Sequence, residues 1–150
     1  MPPKEQPMRL DLYQAETERL ANAQAAMLDE ARHKLHSRHT LTALEQAGIL
    51  HALQILIENS IGKAKHLLKA TGEPVPVSAY DAFARLIRIG TINPEEVQRW
   101  NSAIGIRNRI VHDYMNLNME LILNLVKTER YQFIVEFLRA PIEIKMSNDD

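Results

Sequence analysis

Apolar side chains recur at steps of three and four along most of the chain, which is the spacing of one face of an α-helix. The first such stretch covers about residues 8–35, and its inward-facing positions are Leu10, Tyr13, Thr17, Leu20, Gln24, Met27, Ala31 and Leu35. The second stretch covers about 41–70 and has more densely spaced apolar positions, from Leu44 to Leu68. Its wide apolar arc predicts a central helix that packs against neighbours on more than one side.

Three further helices follow, bounded by residues that start or stop helices. The third is predicted over about 78–89 and ends at Gly90. Asn93 and Pro94, an N-cap followed by a proline, then begin a fourth helix that reaches His112 or Asp113. The fifth is predicted over about 118–138, and no segment alternates as a strand does. We therefore predict an all-α, up-and-down bundle of about five helices.

Length and composition set limits on the class of protein. The 150 residues suit one domain, which we place at 9–140 between a Pro-rich disordered tail (1–8) and a loose acidic tail (141–150). The absence of cysteine excludes disulfides, thiol nucleophiles and zinc–thiolate sites. No apolar run is long enough to predict a membrane span, and the polar N-terminus is unlike a signal peptide, so we expect a cytoplasmic protein.

The net charge of −1 argues against binding nucleic acid through bulk charge. Any contact with RNA must therefore come from a local basic site, or from two such sites joined in an oligomer.

The fourth helix carries an arginine on its apolar face. At about 100° per residue, Arg107 lies near the middle of an arc formed by Trp100, Ala103, Ile104, Ile106, Ile110, Val111 and Tyr114. A charged side chain in such a stripe costs stability unless it is paired or lines a shared cleft. Leucine would serve stability better, which makes Arg107 a candidate functional residue.

Two polar residues flank this arginine. Asn108 and His112 lie four residues apart at one edge of the apolar face, roughly 100° and 140° from Arg107. Arg109 and Asp113 lie on the opposite side, where we predict an exposed ion pair four residues apart.

Arginine, asparagine and histidine together can cleave RNA without a metal. Arginine binds phosphate through a planar charged fork, and histidine exchanges protons near neutral pH. His112 could assist attack of a ribose 2′-hydroxyl on its own phosphate or protonate the leaving oxygen, while Arg107 stabilises the charge on the phosphoryl group, leaving a 2′,3′-cyclic phosphate. Because the reaction benefits from both a base and an acid, we expect a two-fold homodimer that supplies a second histidine.

Basic residues cluster at two other places. The first cluster consists of His33, His36 and His39, and it is interpreted as a basic helix terminus rather than a metal site. The second cluster consists of Lys63, Lys65, His66 and Lys69, and it is interpreted as a solvated strip that can contact the RNA backbone. Arg109 can also contact the RNA backbone. The chain has no phosphate-binding glycine loop and no carboxylate pair suited to two metals, so we predict neither a metal nor a cofactor.

The segment Arg107-Asn108-x3-His112-x-Tyr114 resembles the HEPN ribonuclease motif, and the tyrosine two residues after the histidine resembles the HepT toxin family. The similarity extends from Tyr80-Asp81-Ala82-Phe83 through Asn93-Pro94 to the motif, and overall covers roughly residues 8–140. Its N-terminal half matches mainly in helical pattern.

The resemblance implies a helical homodimer with a composite, metal-independent site built from Arg107, Asn108 and His112. It implies a toxin that cleaves RNA, with tRNA the expected substrate class. It also implies a partner, an MntA-type nucleotidyltransferase antitoxin that transfers AMP onto Tyr114. On a continuous helix Tyr114 has nearly the same angle as Arg107, so its hydroxyl is predicted to reach the same cleft.

Two other functions fit the same residues. The chain could be a non-catalytic subunit that positions substrates for a nucleotidyltransferase, in which case the purified protein would leave RNA intact. It could also be a helical dimerisation module in which Arg107 is merely buried and paired, in which case substituting Arg107 would change only stability.

Overall fold

The computed structural model describes residues 6–143, with side chains described from residue 10 onward. Within that range the secondary structure is entirely helical, which confirms the predicted all-α class. The helices are α1 Gln6–His36, α2 Ala43–Ala70, α3 Ala79–Arg88, α4 Val97–His112, α5 Met119–Lys127 and α6 Gln132–Arg139. The tail predicted for 1–8 overlaps α1 at its last three residues, and most of the tail predicted for 141–150 lies outside the described residues.

The second helix is central, as its wide apolar arc predicted. It packs against α1, α3, α4 and α6. Its start is fixed by a capping box: the Thr42 hydroxyl accepts from the Glu45 amide at 3.1 Å, and the Glu45 carboxylate accepts from the Thr42 amide at 2.9 Å. These two bonds satisfy amides that have no partner inside the helix. α2 therefore begins at one defined residue and places its later side chains in a fixed register.

The helix that carries the motif also begins close to where the sequence predicts. The Asn93 side chain accepts from the Glu95 amide at 2.9 Å, and Pro94 opens a single 3-10 turn, Pro94–Glu96. α4 continues from this turn at Val97.

An aromatic cluster fixes α4 within the bundle. Trp100, only 1% exposed, stacks on Phe83 of α3 with ring centroids 4.3 Å apart. Phe133 and Phe137 of α6 meet the same indole edge-on, at 4.9 and 5.0 Å. Trp100 is therefore a core residue of the single chain. The motif, which begins about two turns later, is thus on a helix that aromatic contacts hold on two sides.

The prediction of one unbroken fifth helix over 118–138 is wrong. The chain leaves helical geometry after Lys127, because Glu129 adopts a left-handed backbone with φ of 59°. The Glu129 amide donates to the Val126 carbonyl at 3.0 Å and the Arg130 amide to the Leu125 carbonyl at 2.9 Å, which is the hydrogen-bonding pattern of a helix C-terminus.

Tyr131 explains why this break is stable. Its ring is fully buried, and its hydroxyl donates to Asp29 Oδ1 of α1 at 2.5 Å. Burial and the adjacent carboxylate raise the pKa of Tyr131 above its ordinary value. The buried, hydrogen-bonded tyrosine thus anchors the connection between α5 and α6 to α1.

The burial of Lys63 contradicts the predicted solvent exposure of the second basic cluster. It was predicted on a solvated strip in contact with RNA, but its side chain is 2% exposed. The ammonium donates to the carbonyls of Phe137, Leu138 and Ala140 at 2.7, 3.4 and 2.6 Å. A cation at the end of a helix satisfies carbonyls that the helix leaves unpaired. Lys63 therefore holds the C-terminus of α6 against α2.

None of the described helices combines the length and the apolar composition required to cross a membrane.

Candidate catalytic site

Arg107 lies on α4 with its side chain 27% exposed. Its Nε donates to Glu58 Oε2 of α2 at 3.0 Å, and its Nη1 donates to Asn108 Oδ1 at 3.2 Å. The arginine is therefore paired, as its place in an apolar stripe required, but it is not buried. The structure brings Arg107 and Asn108 into a hydrogen bond with each other.

Glu58 is the partner that sequence reasoning missed. Its Oε2 accepts from Arg107 and also from Gln54 Nε2, which lies one turn earlier on α2, at 3.1 Å. The available signal was a carboxylate directly after the apolar run Ile55-Leu56-Ile57, in a helix predicted to be central. An inward arginine and an acid on the central helix are natural partners, but helical periodicity does not show which helices face each other.

His112 is the last residue of α4 and is exposed. It follows Asn108 by one helical turn, about 6 Å along the axis. Among the described side chains, residues 10–143, none forms a hydrogen bond with its imidazole, which is open to solvent.

Tyr114 does not continue the helix, and the prediction that it shares the angle of Arg107 is wrong. α4 ends at His112, and Asp113 takes an irregular backbone with φ −145° and ψ 44°. Tyr114 opens a separate 3-10 turn, Tyr114–Asn116, and is 55% exposed. It lies two residues beyond His112 and is open to solvent.

The ion pair predicted between Arg109 and Asp113 is not formed. Because Asp113 lies outside α4, the two side chains are no longer on one helical face. Asp113 Oδ1 accepts instead from Asn116 Nδ2 at 2.8 Å, which stabilises the 3-10 turn. Arg109 remains exposed on the motif helix.

The other predicted RNA contacts lie on α2. Lys65 and Lys69 follow Glu58 by seven and eleven residues, which places them on its side of the helix within about 20°. Lys65 Nζ donates to the Val77 carbonyl at 2.9 Å, and Lys69 is exposed. His66 stacks on Tyr13 of α1, with ring centroids 4.0 Å apart.

A cleft of about 570 Å³ lies between α4 and the α5–α6 connection, over α2. Its floor is apolar and its rim is polar, with lining residues that include Leu53, Ile106, Phe133, Arg99 and Glu129. Ile106 precedes Arg107 by one residue and lies on the side of α4 away from Asn108 and His112. None of the motif residues lines this cleft, so the motif faces another surface.

Apolar side chains are exposed around the end of the motif helix. Val111 is 40%, Tyr114 55% and Met115 92% exposed. These three residues lie within three positions of His112, so the end of α4 adjoins an exposed apolar surface.

The described residues form a small helical bundle whose α4 carries an arginine, an asparagine and, one turn later, a histidine. Comparison with known families identifies the class of protein. Residues 21–140 match the family described as Ribonuclease HepT-like. The chain belongs to this family.

Individual relatives agree with this assignment. The mRNA nuclease HepT of Shewanella oneidensis is 26% identical over 97 residues, which is 63% of this chain and 73% of the relative. A Shewanella oneidensis HEPN toxin, solved in its tri-AMPylated form in complex with an MNT antitoxin, superposes with a TM-score of 0.60 at 20% identity, over 80% of this chain and 96% of the toxin. A chain of a toxin–antitoxin complex with AMP-PNP gives 0.60 at 18% identity, over 79% and 97%. The two structures support the fold.

Proposed function

We propose that this protein is the endoribonuclease toxin of a toxin–antitoxin pair and that Arg107, Asn108 and His112 carry its chemistry. The observation that supports this most directly is the state of Arg107. It is paired with Glu58 and Asn108, and its other N–H groups have no partner among the described residues, while the side chain is 27% exposed. A guanidinium held in this way can bind a phosphate through its remaining N–H groups.

The proposed reaction is an internal transfer at an RNA phosphate. The ribose 2′-oxygen bonds to the adjacent phosphorus, the bond from phosphorus to the 5′-oxygen breaks, and the products are a 2′,3′-cyclic phosphate and a 5′-hydroxyl. His112 removes the 2′-hydroxyl proton or protonates the leaving oxygen. Arg107 stabilises the negative charge that develops on the phosphoryl oxygens, and none of these steps requires a metal.

The active form is proposed to be a homodimer. One protomer offers one His112, whereas the reaction uses a base and an acid. A two-fold axis near the end of α4 would bring a second His112 and a second Arg107 to the same phosphate. The exposed apolar side chains of Val111, Tyr114 and Met115 support a partner surface at this end of the helix.

The protein is proposed to be neutralised by a nucleotidyltransferase that adenylylates Tyr114. The tyrosine oxygen would bond to the α-phosphorus of ATP and release pyrophosphate. Support comes from the exposure of Tyr114 and from the AMPylated, antitoxin-bound state of the Shewanella toxin. AMP at this position places bulk and negative charge two residues from His112, which excludes and repels RNA.

The substrate class is the least defined part of the proposal. The family resemblance leads us to expect tRNA, whereas the curated Shewanella relative is named an mRNA nuclease. Lys65, Lys69 and Arg109 are proposed to contact the RNA backbone, and the site of action is proposed to be the cytoplasm, where RNA and ATP are present. Incubating the purified dimer with matched tRNA and mRNA pools, followed by mapping of cyclic-phosphate ends, distinguishes the two classes.

Substituting the histidine tests the reaction. His112→Ala is expected to reduce cleavage by about a hundredfold to ten-thousandfold, because it removes the proton-transfer group. Its helical circular dichroism should match the wild type, since His112 is exposed. Full activity in this variant would contradict the assignment, and an inactive wild type would favour a non-catalytic partner of the nucleotidyltransferase.

Intact mass tests the modification. The chain is co-expressed with the neighbouring nucleotidyltransferase, as wild type, as Tyr114→Phe and as the control Tyr80→Phe, which alters another exposed tyrosine. We expect one or more adenylyl groups on the wild type and the control and none on Tyr114→Phe. Adenylylation that persists in Tyr114→Phe would show that another residue is modified.

A further inference from the structure

Glu58 contributes to the motif from a different helix. It projects from the middle of α2 to Arg107 on α4, and the two side chains are about equally shielded, at 33% and 27% exposed. Gln54 Nε2 donates to the same oxygen that accepts from Arg107, Oε2, at 3.1 Å. The carboxylate is therefore held from its own helix while it binds the arginine.

The hydrogen bond to Glu58 leaves several N–H groups of the Arg107 guanidinium available to a ligand. A guanidinium has five N–H groups. Nε is engaged by Glu58, and one N–H of Nη1 is engaged by Asn108. The second N–H of Nη1 and both N–H groups of Nη2 make no other hydrogen bond within the described chain. These groups form the outer edge of the fork, which can bind two oxygens of one phosphate.

The position of Glu58 is not explained by stability alone. A half-exposed ion pair typically contributes less than about 1 kcal/mol, because solvent screens it and two side chains must be ordered. Solvent reaches 33% of the Glu58 side chain and 27% of Arg107, so this pair is of that kind.

We infer that Glu58, held by Gln54, is a positioning residue for the ribonuclease. By binding Nε, it fixes the rotation of the guanidinium and prevents an anion from approaching that edge. The outer edge, beside Asn108, then remains as the phosphate-binding edge. This inference rests on the proposed function, and it assigns a role in the site to a residue of α2.

The test compares Glu58→Ala and Glu58→Gln with a matched control, Glu73→Ala. Glu73 forms a similar ion pair with Arg85, at 3.5 Å and with 32% and 31% exposure, but away from the motif. Each dimer is assayed for cleavage of an oligoribonucleotide under single turnover, and for thermal unfolding. Misplacing a catalytic group by about 1 Å can cost a factor of a hundred, so we expect Glu58→Ala to lower the single-turnover rate constant about ten- to a hundredfold, with a much smaller change in the protein concentration that gives half the maximal rate.

The control and the conservative variant separate the possible roles. Glu73→Ala is expected to keep full activity at a comparable melting temperature. Glu58→Gln keeps an oxygen that can accept from Nε, so it should recover most of the activity lost in Glu58→Ala. If Glu58→Ala is as active as the control, the inference fails. It also fails if Glu58→Gln is as inactive as Glu58→Ala, since the charge and not the placement would then matter.

A second measurement does not depend on cleavage. In ¹H–¹⁵N spectra, the Nε–H of Arg107 should give a signal protected from solvent exchange, identified by its loss in Arg107→Lys. We expect this signal to be retained in Glu73→Ala and lost in Glu58→Ala. Its absence from the wild type would overturn the positioning role, whereas a protected signal in a protein that cleaves no RNA would overturn only the proposed function.

Discussion

Two cations on helices of the same bundle, Lys63 and Arg107, lie in opposite environments. Lys63 of α2 is 2% exposed, and its ammonium donates to three carbonyls at the end of α6. Arg107 of α4 is 27% exposed and uses its Nε and one N–H of Nη1 in the described chain. An ammonium has three donors, so Lys63 is saturated, whereas Arg107 keeps part of its fork free.

The difference distinguishes a cation whose donors are all used from one that can still bind a ligand, which position on a helical wheel does not do. Lys63 was expected in solvent and is buried, because its ammonium binds carbonyls at the end of a helix that is distant in sequence. Arg107 was expected to need a partner within its apolar stripe, and it has two, Glu58 of α2 and Asn108 of α4. Unused donors on an ordered, partly shielded side chain mark a group that can bind a ligand.

Removing the arginine should produce the largest effect. We expect Arg107→Ala to reduce RNA cleavage by about a thousandfold or more, because it removes the group that stabilises the phosphoryl charge. Stability should change little, since a half-exposed ion pair contributes little. Single-turnover cleavage and thermal unfolding of the same preparation measure both quantities. An unchanged rate with a lowered melting temperature would make Arg107 as structural as Lys63 and would favour a simple dimerisation module.

Replacing the lysine should have the converse effect. We expect Lys63→Met to lower the free energy of unfolding by about 2 kcal/mol, because the end of α6 loses its donor and buried carbonyls are left unpaired. Cleavage per folded molecule should be unchanged. Lys69→Met, on the exposed part of α2, is the control and should alter stability by less than about 0.5 kcal/mol. Denaturant titration measures the free energy of unfolding of the wild type and of both variants. If Lys63→Met is as stable as the wild type, the carbonyls at the end of α6 find other partners.

A change of pH is expected to have a smaller effect on the free energy of unfolding. Burial lowers the pKa of Lys63 from 10.5 to about 8. Between these two values the unfolded chain binds a proton that the folded chain releases, so raising the pH stabilises the folded state. Relative to Lys63→Met, the wild type should gain about 1 kcal/mol between roughly pH 7.5 and 9. Parallel stability curves for the two proteins would show that Lys63 does not titrate in this window.

Local patterns predicted the parts of the fold that local interactions determine. The apolar spacing located α1 to α4, and Asn93 with Pro94 marked the start of the motif helix. The break at Glu129 was missed because a left-handed residue there is usually glycine or asparagine, and its stability comes from the distant contact between Tyr131 and Asp29.

The residues of the candidate site also divide into those that one helix brings together and one that only tertiary packing adds. Arg107, Asn108 and His112 could be proposed from the sequence because they lie within six residues of one helix. Glu58 was missed because its partner is 49 residues away, and the pattern of a single helix does not reveal which neighbour it faces.

The separate turn that carries Tyr114 has a consequence for recovery from inhibition. Arg107 and His112 belong to a helix locked by the indole of Trp100, whereas Tyr114 lies beyond the helix end on a turn of its own. Under the proposed function, a nucleotide added there blocks access without disturbing the helix. The modified protein is then a stored, folded enzyme, and the time needed to reactivate it is set by hydrolysis of one phosphodiester bond and not by refolding or new synthesis.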